Sequence, residues 1–132
     1  LTNGVDGNRL SMLLAVLDKR AGINLSGEDV FVNIAGGLTV DEPPADLAVL
    51  AAVTSSVRNR ALREGTAVFG EVGLAGEVRG ASQAALRVRE AAQMGFVRCV
   101  IPDGNVAPDD VPSSIELVPV RTVGEALDEL IA

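Results

Sequence analysis

A change of hydrophobic period constrains this chain more than any other feature. Leu10, Leu13, Leu14, Leu17 and Ala21 recur at spacings of three and four, as on one face of a helix. Val30, Val32 and Ile34 then recur at two, as on one face of a strand. Asp6-Gly7-Asn8-Arg9 supplies the helix start, Lys19 and Arg20 occupy its last turn, and Gly22 stops it. Gly36-Gly37 predicts a kink or bulge before Leu38-Thr39-Val40 resumes the extended pattern. Asp41-Glu42-Pro43-Pro44 must be extended or turning, because a residue before proline avoids the helical region. Pro44 then falls in the first turn of a helix running to about Val57, whose Ala45, Ala48, Ala51 and Ala52 suit close packing on a sheet.

The alternation continues. Thr66 to Val72 reads as a strand, Gly73-Leu74-Ala75-Gly76 as a turn, and Glu77-Val78-Arg79 as the returning arm of a hairpin. Ser82 is placed as the N-cap of a helix over Gln83 to Met94, ended by Gly95. Phe96 to Ile101 and Ile115 to Val120 read as strands around a polar loop, Pro102 to Ser114, and Thr122 caps a last helix from Val123 to Ile131. The expected fold is a mixed α/β single domain of four helices and five or six strands over all 132 residues, with no internal repeat or interdomain linker. A chain of this length buries about two thirds of the surface its unfolded form exposes, and 48% hydrophobic residues suit that core. The longest apolar run, Leu47 to Val53, falls far short of the roughly 20 residues of a membrane span. Leu1 to Asp6 carries no basic segment of the kind that opens a signal peptide, and the thiol usage suits a reducing compartment, so a cytoplasmic protein without membrane contact is expected.

Absences narrow the chemistry. The chain has no histidine, tyrosine or tryptophan, one cysteine (Cys99) and one lysine (Lys19). A Ser-His-Asp triad, a Cys-His pair, an imidazole metal site and a cysteine-rich zinc cage are all excluded. Cys99, in an apolar run ending at Pro102, reads as a small buried hydrophobe. Gly70, Gly73 and Gly76 lie at intervals of three, but they lack the lysine of a phosphate-binding loop and carry Glu71, so a hairpin turn fits better. Asp41, Glu42 and Asp46 cluster at a helix start, where carboxylates complement the dipole; holding a hard cation is the alternative.

Charge is unevenly placed. Of the net charge of -7, the last thirty residues carry seven acids against Arg121 alone, while Ser55 to Val100 holds seven arginines against four acids. An acidic total can thus hide a basic face, although arginines scattered over a solvated surface would give the same count. Arg58, Arg60 and Arg63 follow the second helix, and Arg87 and Arg89 lie on the third. Arginines bind phosphate through paired donors. Phe31, Phe69 and Phe96 fall in strand patterns and are assigned to the core, so any nucleic acid would be held by its backbone.

Five blocks, taken in order, carry a resemblance: Gly4-Val5-Asp6-Gly7-Asn8-Arg9-Leu10, Asp29 to Gly37, Glu42-Pro43-Pro44-Ala45-Asp46-Leu47-Ala48-Val49, Phe69 to Arg79, and Glu90 to Phe96. Together they resemble the Lon-protease-like C-terminal domain of the bacterial RadA (Sms) DNA repair family. The resemblance implies a Lon protease-like fold of the ribosomal protein S5 domain 2-like type, beginning here after the family's first strand. Lon-type proteases use a Ser-Lys dyad, the serine in a Gly-Pro-Ser-Ala-Gly motif at a helix start. Here that motif reads Glu42-Pro43-Pro44-Ala45-Asp46, with Pro44 at the serine position and Ala85 aligned with the lysine. A noncatalytic domain is therefore expected.

The resemblance further implies that the parent machine is a RecA-type, DNA-dependent ATPase that processes recombination intermediates and promotes branch migration. Its zinc finger and Mg-ATP site lie outside this domain, so no cofactor and no metal are expected here. Implied partners are single-stranded or branched DNA, further copies in a hexameric ring, and the recombinase RecA. Lys19, Arg20, Arg58, Arg60, Arg63, Arg79, Arg87 and Arg89 are the candidate DNA contacts. Two other readings stay open: a peptidase with a relocated nucleophile at Ser55, Ser56 or Ser82, and an oligomerisation module with no DNA role.

Overall fold

The computed structural model describes residues 2–25, 30, 32–33 and 42–132. The expected Gly36-Gly37 kink, the strand over 38–40, Phe31 and Asp41 lie outside the described residues.

The first unit is strand, helix, strand. β1 (Thr2–Asn3) runs parallel to β2 (Val32–Asn33), with Thr2 opposite Val32 and Asn3 opposite Asn33. Parallel strands need a crossover, and α1 (Gly7–Arg20) lies in it. The helix forms where its stripe predicts: Asp6 is extended and its carboxylate accepts from Arg9 N–H at 3.0 Å, while Leu10, Leu13, Val16 and Leu17 are buried. At two residues, β1 is too short to show a period in the sequence.

A 3-10 turn (Pro43–Ala45) then leads into α2 (Asp46–Arg58), so the expected first turn at Pro44 is 3-10 and not α-helical. Of the four alanines expected to pack on a sheet, only Ala51 is buried. α2 is wedged between α1 and α4, and its Leu47, Leu50 and Val53 take the interior positions.

The run over Thr66 to Val72 is two strands in different sheets, β3 (Thr66–Val68) and β4 (Glu71–Val72), and not the single strand expected. The break falls at Phe69-Gly70 because the chain there passes close to α2. A Cβ on Gly70 would stand 2.9 Å from both Leu47 Cδ1 and Val78 Cγ1. β4 pairs antiparallel with β5 (Val78–Arg79), forming the expected hairpin.

α3 (Ala84–Gln93) follows, and Ser82 is not its cap. Gln83 holds that position in the left-handed region (φ 54, ψ 38) without a side-chain cap. The preceding loop is tied elsewhere: Ala81 N–H donates to Asn105 Oδ1 at 2.8 Å and Asn105 Nδ2 donates to the Ala81 carbonyl at 3.2 Å. β6 (Arg98–Pro102) starts two residues later than expected, because Phe96 N–H still closes the helix end on the Ala91 carbonyl. Pro102 belongs to β6 and the strand expected from Ile115 begins at Glu116, so the loop runs over 103–115; it contains a 3-10 turn (Pro108–Asp110) before β7 (Glu116–Val120) and α4 (Val123–Leu130). Thr122 caps α4 as predicted, its hydroxyl accepting from Glu125 N–H at 3.1 Å.

β3, β6 and β7 form a three-stranded parallel sheet with β6 central. Successive side chains of β6 go to opposite faces. Val100 joins the core made with α1, α2 and α4, including Leu13, Leu17, Leu50 and Leu127. Cys99 and Ile101 join a second core with Val88 and Ala91 of α3. A central parallel strand covered on both faces reads as a continuous apolar run, which is what Cys99-Val100-Ile101 is. Phe69 is buried in the second core and Phe96 is half-buried against it.

Candidate functional site

The Glu42–Asp46 segment is held from two directions. Gly70 N–H donates to the Pro44 carbonyl at 2.8 Å, and Leu47 N–H donates back to the Gly70 carbonyl at 3.2 Å. Asp46, only 3% exposed, is the anchor. Its carboxylate accepts from Arg9 Nε at 2.9 Å, from Arg9 Nη2, and from Val72 N–H at 2.9 Å. One buried carboxylate thus ties the first turn of α1, the start of α2 and the hairpin together. The hydrogen bond to Asp46 raises the Arg9 pKa above its ordinary value, against the lowering effect of burial.

Beside this pair lies a cavity of about 200 Å³. Val5, Leu13, Ala45 and Val49 supply apolar lining, and Asp6, Arg9, Glu42 and Asp46 supply polar lining. Glu42 is exposed and faces Arg87 at 3.6 Å, so the motif segment and α3 are also linked by charge. The carboxylates expected as a possible cation site do not converge: Asp46 is engaged by Arg9 and Val72, and Glu42 faces Arg87. Among the described residues no group of acids or cysteines is arranged to hold a metal.

The candidate DNA-contact residues fall into separate groups. Lys19 and Arg20 end α1, and Arg58 ends α2. Arg60 Nη2 donates to the Ala132 carbonyl, and Arg63 N–H donates to the Leu130 carbonyl at 2.8 Å, so the α2 exit runs along the end of α4. The side chains of Lys19, Arg20, Arg58 and Arg63 have no partner among the described residues. Arg79 is drawn into the hairpin, 3.0 Å from Glu77 and 4.0 Å from Glu71. The Glu77 carboxyl sits below the usual carboxylate range through its own backbone N–H, Arg79 and the Ala75 N–H. Arg89 Nη1 donates to the Asp110 carbonyl at 3.0 Å.

Two arginine–carboxylate pairs join segments too far apart in the chain for a local pattern to predict them. Arg9 and Asp46 meet across 37 positions, and the signal for Asp46 was a carboxylate leading directly into the apolar run Leu47 to Val53. Arg98, the first residue of β6, is bonded to Glu129 and stands 3.6 Å from Glu116. The hydroxyl of Ser55, a candidate relocated nucleophile, donates to the Arg60 carbonyl at 2.6 Å and serves the helix end. Cys99 is buried as expected, and burial pushes its thiol up to about 11.

The proline turn thus feeds α2, is bonded to the hairpin through Gly70 and is tied by charge to α3. The sequence profile of the Lon protease (S16) C-terminal proteolytic domain matches residues 17–132, and the chain belongs to that family. Over nearly its whole length it is also similar to one particular protein, the DNA repair protein RadA. The RadA of Halalkalibacterium halodurans is 47% identical over 97% of this chain, that of Pseudomonas aeruginosa 48% over 98%, and that of Escherichia coli 45% over 94%. The chain spans 28% of the first two relatives and 27% of the third. Among the described residues no helix is long and apolar enough to cross a membrane.

Proposed function

We propose that this chain is the noncatalytic scaffold and DNA-contact domain of a RadA-like repair protein. A DNA repair role follows from the similarity to RadA over nearly the whole chain. The observation that carries the noncatalytic reading is the position of the only lysine. Arg9 touches the motif segment at Asp46, whereas Lys19 stands ten residues further along α1, about 15 Å away at the helical rise. With Pro44 at the aligned serine position and Ala85 at the aligned lysine, the motif turn has neither a hydroxyl nor an amine of its own.

DNA contact rests best on Arg58, Arg60 and Arg63, which share the α2 exit and are exposed. The remaining acidic surface leaves that segment as a place where phosphates meet cations without an adjacent carboxylate partner among the described residues. ATP hydrolysis, zinc binding, branch migration and contact with RecA belong in this proposal to the rest of the parent protein. A second reading, an assembly module without DNA contact, has one observation in its favour: Arg79, Arg87, Arg98 and Arg121 are all paired to acids.

The deciding experiment titrates the chain with labelled branched DNA at two salt concentrations, beside Arg58→Glu/Arg60→Glu/Arg63→Glu and a casein-cleavage assay. Salt-sensitive binding lost in the triple variant, with no cleavage, is the expected result. Binding absent at both salts favours the second reading, and cleavage overturns the noncatalytic one.

A further inference from the structure

At the end of the parallel sheet where β3, β6 and β7 begin, two large apolar side chains face solvent: Met94 is 76% exposed and Val97 60% exposed. Neither belongs to a frayed segment. Met94 N–H donates to the Glu90 carbonyl at 3.0 Å, in the closing turn of α3. Val97 N–H donates to the Gly65 carbonyl at 2.9 Å, and the Val97 carbonyl accepts from Glu116 N–H at 2.9 Å. The chain entering β3 and the start of β7 thus hold Val97 from both sides. Gly65 makes the close approach possible: its φ is 66, and a Cβ there would stand 3.1 Å from Val97 Cγ2. With both backbone groups paired, Val97 has its side chain fixed in an outward position. A single exposed apolar residue is ordinary, but two on one hydrogen-bonded turn form a pre-ordered ledge that loses little freedom on docking.

The charge around this ledge is acidic. Glu90 stands one helical turn before Met94, Glu64 adjoins Gly65, and Glu116 is bonded to Val97 through its backbone; all three are exposed. Glu64 and Glu90 have no cation partner among the described residues. Glu116 lies 3.6 Å from Arg98, but Arg98 is already bonded to Glu129. Glu64, Glu90, Glu116 and Glu129 therefore stand against Arg63 and Arg98, an excess of two negative charges. That excess repels a phosphate backbone, so the ledge is a surface other than the one proposed for DNA. What complements an apolar ledge with an acidic rim is an apolar face with a basic rim.

We propose that the Met94–Val97 ledge docks a basic amphipathic segment of a partner protein, its apolar residues on Met94 and Val97 and its lysines or arginines facing Glu64, Glu90 and Glu116. The apolar pair supplies the surface removed from water, and the acids orient the encounter and reject anionic competitors. The contact uses none of the arginines assigned to DNA, so it stands or falls separately from the reading above.

The probe is a labelled amphipathic peptide of leucine and lysine, with two comparators: leucine and glutamate in the same pattern, and glycine and lysine at the same charge. Fluorescence anisotropy gives the affinity, and amide shifts of the isotope-labelled chain give the place. The leucine-lysine peptide should bind, shift the amides of Gly65, Val97 and Glu116, and lose affinity as salt rises. Both comparators should bind at least about tenfold more weakly. Met94→Ser with Val97→Ser should weaken the leucine-lysine peptide about tenfold, and Glu90→Gln with Glu116→Gln should remove most of its salt dependence. Thermal melts accompany each variant, and Met94→Ser alone, at the more exposed position, should give a smaller loss of the same kind. Equal binding of the glycine-lysine peptide overturns the proposal, as does an affinity lowered equally by Asp109→Asn/Asp110→Asn/Asp128→Asn, because the peptide then reads only the overall charge. Self-association abolished by the Met94→Ser/Val97→Ser variant would assign the ledge to a second copy, and DNA binding abolished by it would assign the ledge to nucleic acid; either result overturns the proposal.

Discussion

The carboxylate of Asp46 has three donors from two other segments, and that determines what its loss would do. Asp46→Ala removes the partner of the Arg9 guanidinium and strands the buried Val72 N–H, a combination that costs about 3 kcal/mol. Arg9→Met should cost less of what the pair provides through the guanidinium, because a third of the Arg9 side chain is exposed and water screens it. Urea melts of both variants and of the double variant would measure the coupling, and equal, additive effects would contradict the buried-anchor assignment. Cys99 gives a second residue-scale prediction. Burial raises its pKa from an ordinary value of 9.0 to about 11. The group's contribution to stability is therefore complete below pH 9 and is lost as the pH rises through 11. Thiol reagents should leave the native chain unmodified at pH 8, and Cys99→Ala should show a smaller loss of stability between pH 8 and 11 than the parent.

Helix boundaries show which local signals suffice and which do not. α1 and α4 were legible because each has a capping side chain directly before an apolar stripe, Asp6 in one case and Thr122 in the other. Thr122→Ala should cost about 1 kcal/mol, read as a lower melting temperature. The start of α3 was not legible, since Gln83 enters the helix from a left-handed conformation imposed by the Asn105 bonds to Ala81. A left-handed non-glycine residue is strained by roughly 1–2 kcal/mol, so Gln83→Gly should stabilise the chain by about 1 kcal/mol once the added unfolded-state entropy is set against it. A lower melting point in that variant would mean that the Gln83 side chain makes a contribution of its own. The split of the Thr66 to Val72 run was hidden for a related reason: it depends on Leu47 and Val78 approaching Gly70, and neither is near Gly70 in sequence. The Arg9–Asp46 pair, spanning 37 positions, was equally invisible, and a local reading left Asp46 as a helix-dipole carboxylate.

At the scale of the whole molecule, a net charge of -7 opposes any polyanion, yet the excess lies in residues 103–132, on the loop before β7 and on α4. Two electrostatic effects on DNA can therefore be separated by their salt dependence. Diffuse repulsion from Asp109, Asp110 and Asp128 acts across solvent and is screened within roughly 10 Å at 0.1 M salt, so neutralising these residues to asparagine should raise affinity several-fold at low salt and scarcely at all at high salt. Direct phosphate contacts by Arg58, Arg60 and Arg63 release counterions instead. Reversing those three should flatten the dependence of log affinity on log salt by about 2 on single strands and just under 3 on duplex. If the asparagine variant changes that slope as much as the arginine variant does, the acidic stretch over 103–132 is touching the nucleic acid, and the division of the surface into a contacting arginine segment and a repelling acidic one is wrong. If the arginine variant lowers affinity with no change of slope, the three arginines attract DNA from a distance and the contact lies elsewhere on the chain.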